Sequence, residues 1–496
     1  MSVVIEPAPV DLERQRVVAA ALREFMDPAA VLFEREAVQP YECDGLSAYR
    51  QIPMVVALPE NEDQVRRILK VCHEKRVPVV ARGAGTGLSG GALPLGNGVL
   101  LSLAKLMRIL EIDPQARTAR VEPGVRNLAI SEAAEQYGLY YAPDPSSQIA
   151  CTIGGNVAEN SGGVHCLKYG LTVHNILKIR ALTIEGEILD IGADGLDCAG
   201  YDLLALMTGS EGMLAVVSEV TVKLLPKPEC AQVVMAAFDD VEKAGAAVAN
   251  VIAEGIIPAG LEMMDQAATL AVERFVHAGY PTDVASILLC ESDGIAEEVA
   301  DEVRRVEAIM EQSGATLIRV SRSDAERLKF WAGRKAAFPA VGRISPDYYC
   351  MDGTIPRKRL AEVLLRITEL ERKYGLRCAN VFHAGDGNLH PLILYDANKP
   401  GELERTEAFG AEILEFSIAV GGTITGEHGV GIEKVNHMCL QFRAAELELF
   451  HGVKQAFDEH GLLNPGKAVP TLRRCAEFGS MHVHAGQEKF PELPRF

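Results

Sequence analysis

The 496-residue sequence predicts an α+β fold in two main parts, and three observations carry that prediction. Residues 54–80 read as strand (MVVAL), helix (NEDQVRRILKVCHEK, with Asn61 placed to cap it) and strand (VPVVA). From there to about residue 225, short β runs such as GVLLSL, ARVEPG, LKIRALTI and SEVTVKLL alternate with loops rich in Gly, Pro, Asn and Ser. Pro226 and Pro228 then break the pattern, and longer helical stretches follow, such as VEKAGAAVANVIAEG and GIAEEVADEVRRVEAIMEQSG. The expected divisions are an N-terminal helical segment (1–50), a first domain (51–228), a second domain (229–470) and a tail (471–496) carrying HVHAG and FPELPRF.

With 48% hydrophobic residues the chain can bury large cores. Its formal net charge of −19 argues against an extended phosphate-binding surface, which needs clustered Lys and Arg, so nucleic acid is not expected as a partner. An acidic enzyme that takes an anionic substrate must supply positive charge locally, which makes single arginines in polar motifs informative. No apolar run approaches the roughly 20 residues of a membrane span, and MSVVIEPAPVDLERQ lacks the basic-then-apolar order of a secretory signal; a cytoplasmic location is expected. The 11 cysteines include no C-x-x-C, so zinc-ribbon and common iron–sulfur spacings are absent and the cysteines read as reduced, mostly buried thiols.

The segment VVARGAGTGLSGGALPLGNG holds a literal G-x-G-x-x-G at Gly85, Gly87 and Gly90, which invites a Rossmann reading. A Rossmann fingerprint must open a helix, and Pro94, Gly96 and Gly98 forbid one here. What remains is a bare backbone loop whose N–H groups can converge on phosphate oxygens, or an ordinary multi-glycine turn. A second such region, APDPSSQIACTIGGNVAENSGG, contains Gly154, Gly155, Gly162 and Gly163.

R-G-A-G-T-G-L-S-G-G, P-D-P-S-S, T-I-G-G-N-V-A-E-N-S-G-G and G-S-E-G-M-L together resemble the FAD-binding domain of the vanillyl-alcohol oxidase and p-cresol methylhydroxylase superfamily. The second half resembles that superfamily's 2-hydroxy-acid dehydrogenase branch. The likeness runs from about residue 40 to 470, and YYAPDPSSQIACTIGGNVAEN, AFPAVGRISPDYYCMDGTIP and CAEFGSMHVH are close to its glycolate-oxidising members. The resemblance implies a two-part FAD-binding domain plus an α+β substrate (cap) domain. It implies that Arg82, Gly83, Ala84, Gly85, Thr86, Gly87 and Ser89 meet the pyrophosphate, with Pro143, Ser146, Gly154, Gly155, Asn156, Ser161 and Gly162. Gly212 and Val217 are implied near the cofactor, and Asn464 in L-L-N-P-G-K near the flavin ring. Members with covalent FAD often carry histidine where this chain has Thr86, so non-covalent FAD is expected.

NVFHAGDGNLHPLILY alternates around G-D-G-N, a hairpin signal. With residues 385–388 as the loop, Ala384 faces Leu389 and His383 faces His390, with Cβ atoms about 5 Å apart, close enough to share a metal ion or to form a hydrogen-bonded cross-strand pair. Glu427 in TITGEHGVGIEK is the candidate third ligand, since His, His and Glu form an open set that leaves room for water or substrate. H-x-G-D-G-N-x-H and G-E-H-G-x-G resemble the metal and catalytic motifs of D-2-hydroxy-acid dehydrogenases, whose members use zinc or manganese.

His428 is then the expected general base, taking the hydroxyl proton as hydride leaves the α-carbon for flavin N5. Arg334 in WAGRKAAF is the expected carboxylate clamp, because a guanidinium binds a carboxylate through two parallel hydrogen bonds; Lys335 beside it is expected to face solvent. D-2-hydroxyglutarate dehydrogenases carry polar side chains where this sequence has Phe338 and Leu392, so a substrate without a second carboxylate is expected, glycolate before D-lactate. The resemblance also implies a second FAD-domain subunit and an iron–sulfur subunit as partners, with at most peripheral attachment to the inner membrane through them. The rival readings are a D-lactate or D-2-hydroxyglutarate dehydrogenase, a non-catalytic flavin assembly subunit, and a non-redox alkyl transferase of related fold.

Overall fold

A computed structural model describes residues 10–195 and 199–470. The tail motifs HVHAG and FPELPRF lie outside the described residues. Helices and strands are mixed throughout, giving the expected α+β class.

The first layer is a four-stranded sheet. Val55–Ala57 and Val79–Arg82 each run parallel to Val99–Ser102, which lies between them. The amphipathic helix Glu62–Glu74 connects them, capped by Asn61 Oδ1 accepting from Gln64 N–H. It buries Val65, Ile68, Leu69 and Cys72 against the sheet. The N-terminal segment is helical over Leu12–Arg23, and it also lends the sheet an edge strand, Val31–Leu32, paired with Val55–Ala57. No helix is described between Val79–Arg82 and Val99–Ser102, so the glycine-rich segment is the expected bare loop. A five-stranded antiparallel sheet follows, ending with Val216–Lys223.

After the two prolines comes an eight-stranded antiparallel sheet, beginning with Cys230–Phe238 and closing on the hairpin Arg377–His383 and Asn388–Tyr395. One face packs under Val241–Ala253, Ala296–Gln312 and Leu360–Tyr374. The other packs against Gln266–Val276 and Asp324–Lys335, and carries Val381, Leu392 and Cys350. Near its end the chain returns to the first layer: Leu463 bridges Val79, and Leu462 and Leu463 join that core.

Among the described cysteines eight are free thiols, mostly buried, whereas Cys439 is disulfide-bonded. Scattered spacing carries no signal for a single pairing, which is why the sequence reads all of them as reduced. No helix among the described residues is long and apolar enough to cross a membrane.

Candidate active site

The hairpin forms with a register different from the expected one. The loop is 384–387, His383 stands opposite Asn388, and His390 stands opposite Val381. The histidines are therefore diagonal rather than directly opposed. They still share a face, because side chains two residues apart along a strand point the same way, and their ring centroids lie 5.0 Å apart.

Glu427 joins them: its Oε1 is 3.2 Å from His383 Nε2 and 2.9 Å from His390 Nε2. The donor atoms of the three side chains lie within 4.8 Å of one another. Behind His383, its Nδ1 is 2.8 Å from Oε1 of Glu262, a fully buried acid on Gly260–Asp265. Burial disfavours a charged His383, but the carboxylates of Glu262 and Glu427 on either side outweigh it and raise its pKa well above the ordinary value. Burial likewise works to raise Glu427, and the facing histidines hold it well below the usual carboxylate range. Such a pocket calls for positive charge, and two imidazoles with one carboxylate fit a divalent ion such as zinc or manganese.

His428 stacks on His390 with centroids 4.7 Å apart and planes 1° from parallel. Burial lowers its pKa to about 4 against the opposing pull of Asp352, so the ring is neutral rather than poised near neutrality. The loop bearing Glu427 and His428 is pinned from two directions. Asp352 accepts from the backbone N–H of Gly426, Glu427 and His428, and the fully buried Lys434 pairs with it at 3.3 Å. Glu211, from the first half, accepts from Val430 N–H and Gly431 N–H, both at 2.7 Å. Gly431 sits at φ +52° with the Ser89 carbonyl oxygen where a Cβ would be, so no other residue fits there.

These groups open onto a cavity of about 360 Å³ between the two halves. Of the residues expected at the cofactor, Arg82, Gly83, Ala84, Gly85, Thr86, Gly87, Ser146, Gly154, Gly155, Asn156, Ser161, Gly212 and Val217 line it. Four do not. Ser89 is buried, its carbonyl accepting from Ile432 and Glu433. Pro143 is buried and accepts from Asn127. Gly162 is the close-packing point for Glu427, whose Oε2 occupies the space a Cβ there would need. Asn464 spends its amide on Gly91 O and Glu211 O and its oxygen on Lys467.

The cavity suits FAD on two grounds. A Cβ on Gly87 would find its nearest neighbour 4.0 Å away, so bare backbone faces the open space, and Thr152 Oγ1 on the wall is buried without a hydrogen-bond partner.

His383, His390, Glu427 and His428 all line the cavity, but Arg334 lies behind its wall, 1% exposed, with Nη2 2.6 Å from Glu262 Oε2. None of its guanidinium nitrogens makes a hydrogen bond of regular geometry, so Nη2 meets Glu262 as an ion pair. Lys335, expected in solvent, lines the cavity with Nζ 3.6 Å from Asp144 Oδ2, because it ends the helix Asp324–Lys335 where that helix reaches the first half. Phe338 lines the cavity with its ring 6.3 Å from that of His390, whereas Leu392 is fully buried in the core. Sequence reasoning missed Glu262, Asp352 and Glu211. The available signal for Glu262 was an acid inside the apolar strand GLEMMD.

The chain matches the family models described as "FAD binding domain" over residues 53–192 and "FAD linked oxidases, C-terminal domain" over residues 227–468. The chain belongs to the FAD-linked oxidases. This FAD-linked oxidase is 63% identical to the glycolate oxidase subunit GlcD of Escherichia coli K12, covering 98% of this chain and 97% of that one. It is 31% identical to a D-lactate dehydrogenase of Anaerostipes hadrus, over 92% and 98% of the two chains. The solved structure of p-cresol methylhydroxylase with substrate bound superposes with a TM-score of 0.78 at 16% identity, covering 94% of this chain and 99% of that one. This FAD-linked oxidase therefore has the expected two-domain FAD-binding fold, and FAD is its cofactor.

Proposed function

We propose that this FAD-linked oxidase converts glycolate to glyoxylate, with D-lactate as a secondary substrate. The observation that carries the reading is His428, stacked on His390 beside the His–His–Glu cluster, on the cavity that the glycine loops also line. Its similarity to the E. coli glycolate oxidase subunit supports the choice of acid. FAD, once bound, would supply the hydride acceptor, and a divalent ion held by His383, His390 and Glu427 would polarise the substrate hydroxyl.

His428 takes the hydroxyl proton at Nε2, which lies 3.9 Å from Glu427 Oε1 on the cluster side of the ring. Starting neutral, it can accept at once, and a substrate carboxylate nearby raises its proton affinity. Arg334, paired with Glu262 through Nη2 behind the cavity wall, acts through that acid to position His383 rather than clamping the substrate carboxylate itself. Phe338 closes the pocket with an apolar wall that suits a substrate lacking a second carboxylate. FAD is held without a covalent bond, since Thr86 offers no imidazole.

The similar E. coli chain is named a subunit, and no cluster-type cysteine spacing occurs here. A second FAD-domain subunit and an iron–sulfur subunit would carry electrons onward and provide any peripheral contact with the inner membrane. A second reading, D-lactate as main substrate, is favoured by the similarity to the A. hadrus enzyme. The two acids differ by one methyl group, worth about 1–3 kcal/mol.

The test is steady-state oxidation of glycolate, D-lactate, L-lactate and D-2-hydroxyglutarate with an artificial acceptor, alongside acid precipitation. Glycolate first, D-lactate second and FAD in the supernatant are expected. A D-2-hydroxyglutarate efficiency equal to or above that of glycolate overturns the pocket reading, and retained flavin overturns the argument from Thr86.

A further inference from the structure

A second group of metal-ligating side chains sits beside the first. The donor atoms of Cys350, His390 and His428 lie within 4.8 Å of one another. Cys350 ends the strand Asp347–Cys350 and stands opposite Leu392, so it shares a sheet face with His390, two residues away. Cys350 and His390 are 4% and 2% exposed. Both His390 Nε2 and His428 Nε2 point towards Glu427, at 2.9 and 3.9 Å. The opposite ring atoms, Nδ1 of His390 and Nδ1 of His428, are buried with no hydrogen-bond partner. Parallel stacking keeps the two rings side by side, and the Cys350 thiol makes only a long contact, 3.5 Å, to the Met351 carbonyl. Cys350, His390 and His428 thus gather a poorly bonded thiol and two imidazoles, each with an orphaned Nδ1, into one cluster, an uncommon arrangement for buried polar atoms.

We infer that Cys350, His390 and His428 form a second, inhibitory site for a thiophilic divalent cation, distinct from the His383–His390–Glu427 set. One sulfur and two imidazoles are the donors of a zinc or cadmium site, and sulfur tips the preference away from manganese or magnesium. The ion enters past His390 and His428, which line the cavity, and displaces the thiol proton to solvent as the metal–sulfur bond forms. His428 is then locked as a ligand and cannot accept a substrate proton, so occupancy stops turnover. His390 offers Nε2 to the first site and Nδ1 to the second, and its ring proton leaves to solvent with the thiol proton when both sites fill together.

The experiment is a cadmium titration of the FAD-loaded enzyme, followed by sulfur-to-cadmium charge-transfer absorbance and by glycolate-dependent reduction of an artificial acceptor. Wild type, Cys350→Ala, Cys350→Ser and His383→Ala are compared. In wild type, a second equivalent is expected to raise the absorbance and abolish activity in parallel. Cys350→Ala and Cys350→Ser are expected to keep basal activity, lose that absorbance and resist inhibition by tenfold or more, since even an outer-shell partner is worth roughly 10–100-fold in metal affinity. His383→Ala is expected to lose the tight equivalent and keep the sulfur-linked one, which separates this site from the first. X-ray absorption of the two-equivalent wild type should show one sulfur neighbour. Equal absorbance and inhibition in the Cys350 variants, or a single binding equivalent without sulfur in wild type, overturns the inference.

Discussion

Replacing Glu262 with glutamine perturbs the site without replacing a residue on the cavity wall. One oxygen of Glu262 is 2.8 Å from His383 Nδ1 and the other 2.6 Å from Arg334 Nη2. Both partners are donors, and an amide has a single oxygen, so whichever way the new side chain lies, one N–H group meets another. Removing one member of a buried ion pair costs about 3–5 kcal/mol, and Arg334 is only 1% exposed. Losing the carboxylate that orients a metal-binding histidine costs roughly 10–100-fold in metal affinity. Glu262→Gln is therefore expected to melt lower and to release metal to a competing chelator, while retaining FAD, whose glycine loops lie in the other half. The double variant Glu262→Gln/Arg334→Met separates the effects: it removes the stranded charge and recovers stability, but not metal affinity. Melting and metal retention both equal to wild type in the single variant would refute the Arg334–Glu262–His383 relay.

Three further outcomes follow from the same geometry. Arg334→Lys is expected to weaken metal retention and lower kcat, because an ammonium cannot reproduce the guanidinium's contact with Glu262, the acid that steadies His383; unchanged metal retention and kinetics would remove Arg334 from that relay. Phe338→Thr is expected to narrow the preference for glycolate over D-2-hydroxyglutarate, since a hydroxyl replaces the apolar wall; an unaltered ratio of kcat/KM would shift the selectivity elsewhere. His165 lies between Asp144 and Glu291, at 3.0 and 3.2 Å. Burial alone would lower its pKa, but these carboxylates raise it from 6.5 to about 10. Its stabilising charge is thus fully present below pH 6.5 and is lost as pH rises through about 10. His165→Gln is expected to flatten the fall in melting temperature over that window, and a curve parallel to wild type would contradict the assignment.

The glycine loops were legible because Pro94, Gly96 and Gly98 exclude a helix by local rules alone. The histidine pair was legible despite the wrong register. A four-residue loop drawn at 385–388 or at 384–387 keeps His383 and His390 on one face, since the two choices differ by whole steps of the β period. Lone acids were not legible. Glu262, Asp352 and Glu211 matter because tertiary packing brings them to His383 and to the 426–431 backbone; the apolar neighbours of Glu262 mark it as unusual, but no neighbour along the chain names these partners. The helix phase misled for Lys335 and Arg334: the terminal turn of Asp324–Lys335 points Lys335 into the cavity and Arg334 behind its wall. The strand Val31–Leu32 and the return of Leu463 to Val79 are long-range pairings that local pattern cannot specify.

The central claim is that glycolate delivers its electrons to FAD in this cavity with His428 as proton acceptor. Anaerobic mixing of the FAD-loaded protein with glycolate, followed by flavin absorbance, tests it most directly. Wild type is expected to bleach within a turnover, D-lactate more slowly and L-lactate not at all, and His428→Asn is expected to keep its yellow flavin and bleach slower by about 100-fold or more. A wild-type flavin that neither glycolate nor D-lactate bleaches, or a His428→Asn flavin bleached at the wild-type rate, would contradict the account.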